Sequence, residues 1–315
     1  MRVAILSARK GWHTDQLCGA LVARGATAQL LTYESLVARL GAARWLPQAA
    51  ADPGAATESP PSPSAAADHR PFALDADAVL ARIIPSGSLE QIIYRVDALH
   101  WLEDAGVRVM NSPRAIERSV DKFYTSALLE QAGLATPETV VCERSEDAMA
   151  AFRDMGDVIV KPLFGSMGLG MVRVHDEEIA WRVFRTLDAI RGVYYLQRTI
   201  DHGGRDVRAF VVGDRVIGAM ERRSADGGPE WRTNYSRGGA VRPLTLAPAW
   251  TDMAVRAARA VGADYAGVDL LPANDGTVYA LEVNAIPGWR GLHEATGIDV
   301  AAAIVDQVLR LAASG

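Results

Sequence analysis

Hydrophobic and polar residues alternate in the first third of the chain as they do in α/β proteins. Val3 to Leu6 is a short apolar run that predicts a buried strand. Thr14 to Arg24 has the spacing of an amphipathic helix, and Thr27 to Leu31 predicts a second strand. The pattern continues with a strand at 77–84, a helix at 89–105, a strand at 107–110 and a helix at 114–131. This order predicts an α/β domain with a β-α-β opening.

The pattern stops in residues 47–71, which consist mostly of Ala, Pro and Ser and include the run Ser59-Pro-Pro-Ser-Pro-Ser64. Such a segment has almost no large apolar side chains, so it cannot bury enough surface to offset the entropy lost on ordering. We therefore predict a mobile surface insertion. A proline-rich docking motif is the alternative.

Antiparallel patterns dominate the second half of the chain. Val207 to Val212 and Arg215 to Met220 flank Gly213-Asp214, which predicts a hairpin with a two-residue loop. The other predicted elements are strands at 158–160, 171–174, 194–200, 265–270 and 278–283, and helices at 179–190 and 250–261. The later part of the chain is therefore predicted to be α+β.

The composition is that of a globular protein, because 49% of the 315 residues are hydrophobic and only 23% are charged. The formal net charge of −5 gives no general attraction to nucleic acid or anionic lipid, so neither is expected as a partner. No apolar stretch approaches the roughly 18 residues that a membrane span needs. Cys18 and Cys142 form no spaced framework, so we expect reduced thiols in a cytoplasmic protein.

A lysine and three glycines follow the strand predicted at 158–160, in the segment Val160-Lys161-Pro-Leu-Phe-Gly165-Ser166-Met-Gly168-Leu-Gly170. Glycines let the backbone approach phosphate oxygens closely, so the loop is suited to cover a triphosphate. The segment differs from the Walker pattern, in which the lysine comes after the glycines at a helix start. A glycine-containing hairpin beside a surface lysine is the alternative.

Three oxygen-bearing side chains lie on the last two predicted strands. Glu282 and Asn284 project to one face because side chains alternate along a strand, and an adjacent strand can bring Asp269 beside them. Two carboxylates and an amide oxygen suit Mg²⁺ that shares its coordination shell with nucleotide phosphates. The alternative is an acidic hairpin with solvated side chains.

Arginines cluster in three segments, 205–208, 221–223 and 231–237. In a protein of negative net charge this clustering indicates an anionic target, since the arginine fork holds two oxygens of a phosphate or carboxylate. Solvated surface charge is the competing explanation.

Seven motifs occur in one order along the chain: Asp121-Lys122, Val160-Lys161-Pro with Gly165 to Gly170, Gln197-Arg-Thr-Ile200, Asp206-Val-Arg208, Trp231-Arg232-Thr-Asn234, Gly267-Val-Asp269 and Glu282-Val-Asn284-Ala-Ile-Pro-Gly288. In this order they resemble the ATP-grasp superfamily, and the RimK-type α-L-glutamate ligases are the most similar branch. The resemblance implies an ATP-grasp fold with an N-terminal pre-ATP-grasp β-α-β domain. The expected divisions are the N-terminal domain at 1–118, a central lobe at 119–200 and a C-terminal lobe with the metal site at 201–315.

The resemblance also implies a role for each matching residue. Those implied to contact ATP are Lys122, Lys161, Gly165, Ser166, Gly168, Gln197, Arg198, Thr199, Ile200, Asp206, Arg232 and Asn234. Backbone groups of 197–200 would lie on the adenine side. The implied Mg²⁺ ligands are Asp269, Glu282 and Asn284, with Mn²⁺ as an alternative ion. Arg198 stands where the family often has glutamate, which puts a side-chain contact to adenine or ribose there in doubt.

The implied activity is that of an ATP-dependent carboxylate–amine ligase. We expect an acyl phosphate on a small-molecule carboxylate, attack by the amine of glutamate, and release of ADP and phosphate, with Arg208 and Arg232 stabilising the transferred group. Residues 86–91 and 111–122 are most similar to the branch that extends cofactors such as tetrahydromethanopterin, and a furan-type precursor is a further candidate acceptor. A peptide or protein-tail ligase and a non-catalytic nucleotide-binding regulatory protein are the alternatives.

The segment after the metal-ligand motif is expected to face the acceptor. Trp289 is predicted either to stack on an aromatic ring or to pack in the core. Arg290 and Arg237 are predicted to bind a substrate carboxylate. Assembly into a homo-oligomer is implied by the resemblance alone.

Overall fold

The computed structural model describes residues 1–38, 74–165, 168–223 and 240–314, so the predicted insertion at 47–71 lies outside the described residues. The chain forms two compact units, one of Met1–Arg114 with Asp299–Gly315 and one of Ala115–Ile298. In the described ranges, no helix is long and apolar enough to cross a membrane. The predicted three-part division of the chain stays a prediction.

The first unit contains a parallel sheet with the strand order β2-β1-β3-β4. Its elements are β1 (Arg2–Leu6), α1 (Trp12–Val22), β2 (Thr27–Leu31), β3 (Ala78–Ala81), α2 (Leu89–Asp104), β4 (Arg108–Met110) and α9 (Val300–Ala313). The central strands β1 and β3 are buried apolar runs, as expected when helices cover a parallel sheet. Strand β1 pairs in parallel with β2, which confirms the predicted β-α-β opening.

Helix α9 follows the second unit in sequence but packs against α1, β3 and β4 of the first. Its residues Val300, Ile304 and Val308 are buried. Arg24 after α1 also donates from Nη2 to Asp306 Oδ2 at 3.0 Å. This helix, which was not predicted, therefore belongs to the first unit, although residues 201–315 were expected to form the C-terminal lobe. An apolar pattern shows that a helix has a buried face, but it does not show which sheet covers that face.

The second unit begins with an antiparallel sheet of order β5-β8-β6-β7. Its elements are β5 (Thr139–Cys142), α5 (Ser145–Met155), β6 (Val158–Lys161), β7 (Val172–Val174), α6 (Glu177–Ala189) and β8 (Tyr194–Arg198). Helices α5 and α6 bury Phe152 and Phe184 against the sheet, where Phe184 meets Tyr194 edge to face. Strand β5 and helix α5 were not predicted, and β5 has only four half-buried residues.

A five-stranded antiparallel sheet of order β11-β10-β9-β12-β13 completes the unit. Its elements are β9 (Arg205–Val212), β10 (Arg215–Arg223), β11 (Ala240–Pro243), α7 (Pro248–Val261), β12 (Tyr265–Pro272), β13 (Val278–Asn284) and α8 (Arg290–Thr296). The predicted hairpin is present, with Val212 paired to Arg215 across Gly213-Asp214. Helix α7 packs along β9, β10, β12 and β13.

The single helix predicted at 114–131 is two helices, α3 (Pro113–Val120) and α4 (Lys122–Gln131). Asp121 separates them, because its backbone is extended and its Oδ1 accepts a hydrogen bond from the Tyr124 N–H at 3.0 Å. An aspartate cap of this kind starts a new helix. The break makes Lys122 the first residue of α4.

Candidate active site

One face of the five-stranded sheet carries a row of charged residues across four strands. In the register of the sheet, Asp206 lies opposite Arg222, Arg208 lies opposite Asp269, and Asp269 lies opposite Glu282. Residues directly opposite each other in an antiparallel pair project to the same face. The alternate positions Val207, Val268, Leu270 and Val283 are buried and apolar. The sheet therefore places the polar set on one face and its packing residues on the other.

Four of these charged groups form one buried network. Arg208 donates from Nε and Nη2 to the two carboxylate oxygens of Asp269, both at 2.7 Å. Arg222 donates in the same two-bond manner to Asp206, both at 2.6 Å, and its Nη2 also lies 2.9 Å from Asp269 Oδ2. Burial opposes ionisation of Asp269, but the charges of Arg208 and Arg222 outweigh it and lower the pKa of the carboxyl to about 2.

The network changes the interpretation of the arginine cluster. Arg222 is only 3% exposed, so the solvated-charge explanation is wrong for it. Its anionic partners are Asp206 and Asp269 of the protein itself, so it was not necessary to assume an external anion for this residue. The residues 231–237, which include Arg232, Asn234 and Arg237, lie outside the described part of the chain, as does Ser166.

The buried Lys161 and the half-buried Lys122 lie near Glu282. Ser119, Lys122, Thr125, Lys161, Tyr195, Leu281 and Glu282 line one narrow cavity. Burial lowers the pKa of the Lys161 ammonium to about 8, against an opposing effect of the Glu282 charge. Burial also lowers the pKa of Lys122, again opposed by Glu282. The cavity thus combines two ammonium groups whose charge is poorly solvated, which favours binding of an anion there.

The described glycines of the loop that follows Lys161 have backbone conformations that favour glycine. Gly165, Gly168 and Gly170 all have positive φ angles, and a side chain on Gly165 or Gly170 would come within 3.4 Å of Pro162. Lys122 donates from Nζ to the Gly165 carbonyl at 2.8 Å. The predicted loop therefore lies beside the predicted lysine pair.

Strand β8 differs in detail from the prediction for 197–200. The Gln197 side chain is 2% exposed, accepts a hydrogen bond from Lys161 Nζ and donates to Thr139 Oγ1 at 3.0 Å. The Arg198 side chain projects to the face of the strand opposite Gln197. Its Nε donates to Glu138 at 2.7 Å and its Nη1 donates to the Met155 carbonyl at 3.0 Å. The doubt about an Arg198 side-chain contact is thus supported, because its guanidinium is already bonded.

The backbone N–H groups of this strand end are partly used as well. The Arg198 N–H donates to the Glu138 carbonyl at 2.8 Å, and the Thr199 N–H donates to the Asp157 carbonyl at 3.0 Å. Thr199 also donates from Oγ1 to Asp157 Oδ1 at 2.8 Å. Ile200 is half-buried. Any backbone donation to an adenine base must therefore come from beyond Thr199.

The segment after β13 folds back onto the charged face. Asn284 Oδ1 accepts a hydrogen bond from the Ile286 N–H at 2.9 Å. A Cβ on Gly267, the cross-strand partner of Asn284, would lie 3.0 Å from Pro287 Cβ. Trp289 is 1% exposed and meets Phe210 edge to face at 6.4 Å. For Trp289 the structure therefore supports core packing rather than stacking on a substrate, since no ring face is exposed.

Arg290 is the first residue of α8 and has an exposed side chain. Its Nε donates to Glu294 at 2.8 Å, one helical turn further on. Exposed pairs of this type contribute little and exchange readily, so the guanidinium stays accessible to a ligand. Its predicted role as a carboxylate-binding group stays a prediction.

A comparison with protein families supplies the decisive observation. A model of the RimK-like ATP-grasp domain matches residues 119–308. The chain belongs to the RimK-like ATP-grasp family. It is an ATP-dependent ligase of the carboxylate–amine class, with sites for ATP and a divalent metal. The predicted family, fold and enzyme class are confirmed.

Two curated relatives match the sequence of this chain over most of their own length. The chain is 38% identical over 259 residues to the tetrahydromethanopterin:α-L-glutamate ligase of Methanosarcina acetivorans, covering 74% of this chain and 79% of that protein. It is 35% identical over 227 residues to a probable α-L-glutamate ligase of Trichodesmium erythraeum, covering 71% and 75%.

Solved structures show the same fold. A RimK domain ATP-grasp protein from Sphaerobacter thermophilus aligns with a TM-score of 0.72 and 23% identity, covering 98% of this chain and all of that one. The ATP-grasp ligase PsnB, complexed with minimal precursor, Mg and ADP, aligns with a TM-score of 0.71 and 22% identity, covering 99% and 98%. At these identities the likeness establishes the ATP-grasp fold alone.

The described residues of this RimK-like chain fit a magnesium–nucleotide complex. Asp269, Glu282 and Asn284 offer only oxygen donors, which is the ligand chemistry that Mg²⁺ prefers. In the described ranges, no group of three His, Cys, Asp or Glu side chains could hold a metal ion, and the predicted set has two carboxylates with the Asn284 amide as its third member. The lysine-lined cavity beside Glu282 matches the phosphates that such a metal would share.

Two residues of this site have partners that the sequence did not predict. Arg222 was grouped with other arginines as a ligand-binding residue, although it bridges two carboxylates. Gln197 was assigned to the adenine side, although its side chain holds Lys161. The predicted hairpin indicated that β10 lies beside β9, but it did not indicate that Arg222 faces Asp206.

Nucleotide affinity is expected to depend on pH through Lys161. Because burial places the pKa of its ammonium at about 8, the lysine loses its charge between pH 7 and pH 9, and a bound phosphate favours the charged form. Calorimetric titration with ADP in the presence of EDTA is expected to show an affinity about tenfold lower at pH 9 than at pH 7. Lys161→Arg keeps its charge in this range, so its pH dependence should be weaker. An equal dependence in both proteins would show that another group is responsible.

Proposed function

We propose that this chain is an α-L-glutamate ligase that joins the amine of glutamate to a carboxylate of a small-molecule cofactor, such as tetrahydromethanopterin or a furan-type precursor. The proposal is supported by the charged sheet face with its adjacent lysine cavity, because this arrangement matches a polyphosphate and a metal ion. The names of the relatives, which describe α-L-glutamate ligases, support the choice of amine and acceptor.

The proposed reaction has two steps. An oxygen of the acceptor carboxylate attacks the γ-phosphorus of ATP, the bond from phosphorus to the ADP oxygen breaks, and an acyl phosphate forms. The amine of glutamate then attacks the acyl carbon, phosphate leaves with the electron pair of the C–O bond, and the amine loses a proton. The products are an amide, ADP and phosphate.

Charged residues of this chain stabilise the transferred phosphoryl group in the proposal. Lys122 and Lys161 bind phosphate oxygens, and their shielding from water strengthens that attraction. Arg208, which is already directed at Asp269, stabilises the acyl phosphate together with Arg232. Mg²⁺ held by Asp269, Glu282 and Asn284 would neutralise negative charge on the phosphates. Catalysis would come from positioning and electrostatics, so no protein nucleophile is required.

The remaining assignments belong to the same proposal. Gly165, Ser166 and Gly168 cover the phosphates, and Asp206 and Asn234 contact the nucleotide. Residues 197–200 lie along the adenine. Arg237 and Arg290 bind carboxylates of the acceptor or of glutamate. Mn²⁺ is the alternative metal, and the oligomeric state is proposed to be a homo-oligomer.

The test is a reaction with ATP, Mg²⁺, glutamate and a panel of carboxylate-bearing pterin and furan precursors, followed by ADP release and product mass. We expect ADP release together with a glutamate-sized mass gain in one acceptor. Oxygen-18 in that carboxylate should appear in the released phosphate. AMP and pyrophosphate as products would exclude the acyl-phosphate route, and a mass gain only on a peptide acceptor would favour the peptide-ligase alternative.

A further inference from the structure

Arg222 contacts both aspartates of the network. Its guanidinium bonds both oxygens of Asp206 and approaches Asp269 Oδ2 at 2.9 Å. Arg208, in contrast, donates to both oxygens of Asp269. Arg222 therefore fixes the position of one carboxylate relative to the other.

The surroundings of Arg222 keep the guanidinium in this position. Its side chain is 4% exposed, and those of Asp206 and Asp269 are 6% and 8% exposed. The strands bearing these residues are neighbours in the order β10-β9-β12, so the guanidinium reaches across β9 to Asp269. A fork with five donors can satisfy two carboxylates at once, whereas a lysine ammonium is a point charge.

The formal charges of the network indicate what an arginine contributes at position 222. Asp206, Asp269, Arg208 and Arg222 sum to zero formal charge. Two carboxylates that share one guanidinium would repel each other without it. With Arg222 present, the hydrogen bonds of its guanidinium orient both carboxylates before any ligand arrives.

We propose that Arg222 is a positioning residue, which holds the carboxylate of Asp269 in the orientation for binding a divalent metal and that of Asp206 beside the nucleotide. The inference rests on the proposed function, because it takes Asp269 as a metal ligand. Groups that orient metal ligands in this way commonly affect metal affinity by about 10- to 100-fold. Arg222 itself touches neither the metal nor the substrate in this proposal.

The test measures Mn²⁺ binding by electron paramagnetic resonance in the presence of ADP, together with ADP affinity with and without metal. Arg222→Met removes the charge, and Arg222→Lys keeps the charge but loses the fork. Arg223→Met is the matched control, since Arg223 is the next residue on β10, is half exposed and bonds Glu221 at 2.6 Å.

We expect Mn²⁺ affinity to fall by about 10- to 100-fold in Arg222→Met, by less in Arg222→Lys, and to remain unchanged in Arg223→Met. Metal should raise ADP affinity least in Arg222→Met, more in Arg222→Lys, and as much as in the wild type in Arg223→Met. A purely structural role would lower the melting temperature but leave this metal-dependent gain intact.

Two results would overturn the inference in distinguishable ways. If the wild-type protein binds Mn²⁺ with ADP and Arg222→Lys binds it equally well, Arg222 does not position the site, although the proposed function stands. The lysine variant decides this even if Arg222→Met does not fold. If the wild-type protein binds no Mn²⁺ with ADP, both the proposed metal site and the role of Arg222 are wrong.

Discussion

Glu282→Gln is expected to reduce the turnover of the ligase reaction by about 100- to 1,000-fold while leaving the fold intact. The substitution removes one charged metal ligand and the carboxylate that faces Lys122 and Lys161 in the cavity. Loss of a single group that stabilises charge in a transition state commonly has an effect of this size. Turnover is measured as ADP release with the acceptor identified in the panel.

Stability should change little in this variant, because Glu282 is only half-buried and forms no ion pair within bonding distance among the described residues. Thermal unfolding provides the measurement. Glu221→Gln is the control: its carboxylate belongs to the same sheet but bonds the exposed Arg223. If Glu282→Gln keeps the turnover of the control, Glu282 is not a ligand of a catalytic metal.

Asp269→Asn is expected to abolish activity and also to destabilise the protein by about 3–5 kcal/mol. The difference from Glu282 lies in its partners: Asp269 is buried and accepts hydrogen bonds from two arginines. Neutralising it leaves the Arg208 guanidinium without its buried counter-charge, and breaking a buried ion pair from one side has this cost. Denaturant unfolding measures the free energy, and ADP release measures the activity.

The same ion pairs predict an acid-sensitive contribution to stability. The pKa of Asp269 is about 2 in the folded protein, below the value of about 4 in an unfolded chain. The contribution is therefore present above pH 4 and is lost as the pH falls from about 4 towards 2. Asp269→Asn should show a flatter decline in this window. A decline as steep as that of the wild type would assign the acid sensitivity to other carboxylates.

The sequence predicted the elements that carry the site with small errors at their ends. Strands β6 and β13, predicted at 158–160 and 278–283, each extend one residue further. These segments have clear periodicities, which local side-chain preferences determine. The break at Asp121 was missed because an apolar helical pattern continues on both sides of it, and only the capping hydrogen bond shows that a new helix begins.

The hydrophobic pattern of the sequence did not predict the register in which the strands pair. Counting back from the two-residue loop would place Glu221 opposite Asp206, but a bulge between Val216 and Gly218 shifts the pairing so that Arg222 takes that position. A similar irregularity between Asp269 and Leu270 places Glu282, rather than Leu281, opposite Asp269. Two of the three pairings on the charged face, Asp206 with Arg222 and Asp269 with Glu282, therefore depend on one extra residue in a strand.

By itself, the sequence determined the family, most of the strands that carry the site, and the set of oxygen and lysine side chains available for chemistry. These properties follow from residue types and their spacing. Tertiary structure alone decided that Arg222 joins two aspartates, that Trp289 is buried and that α9 completes the first unit. Such contacts join strands and helices far apart in the chain, and they are set by register, bulges and packing rather than by any local preference.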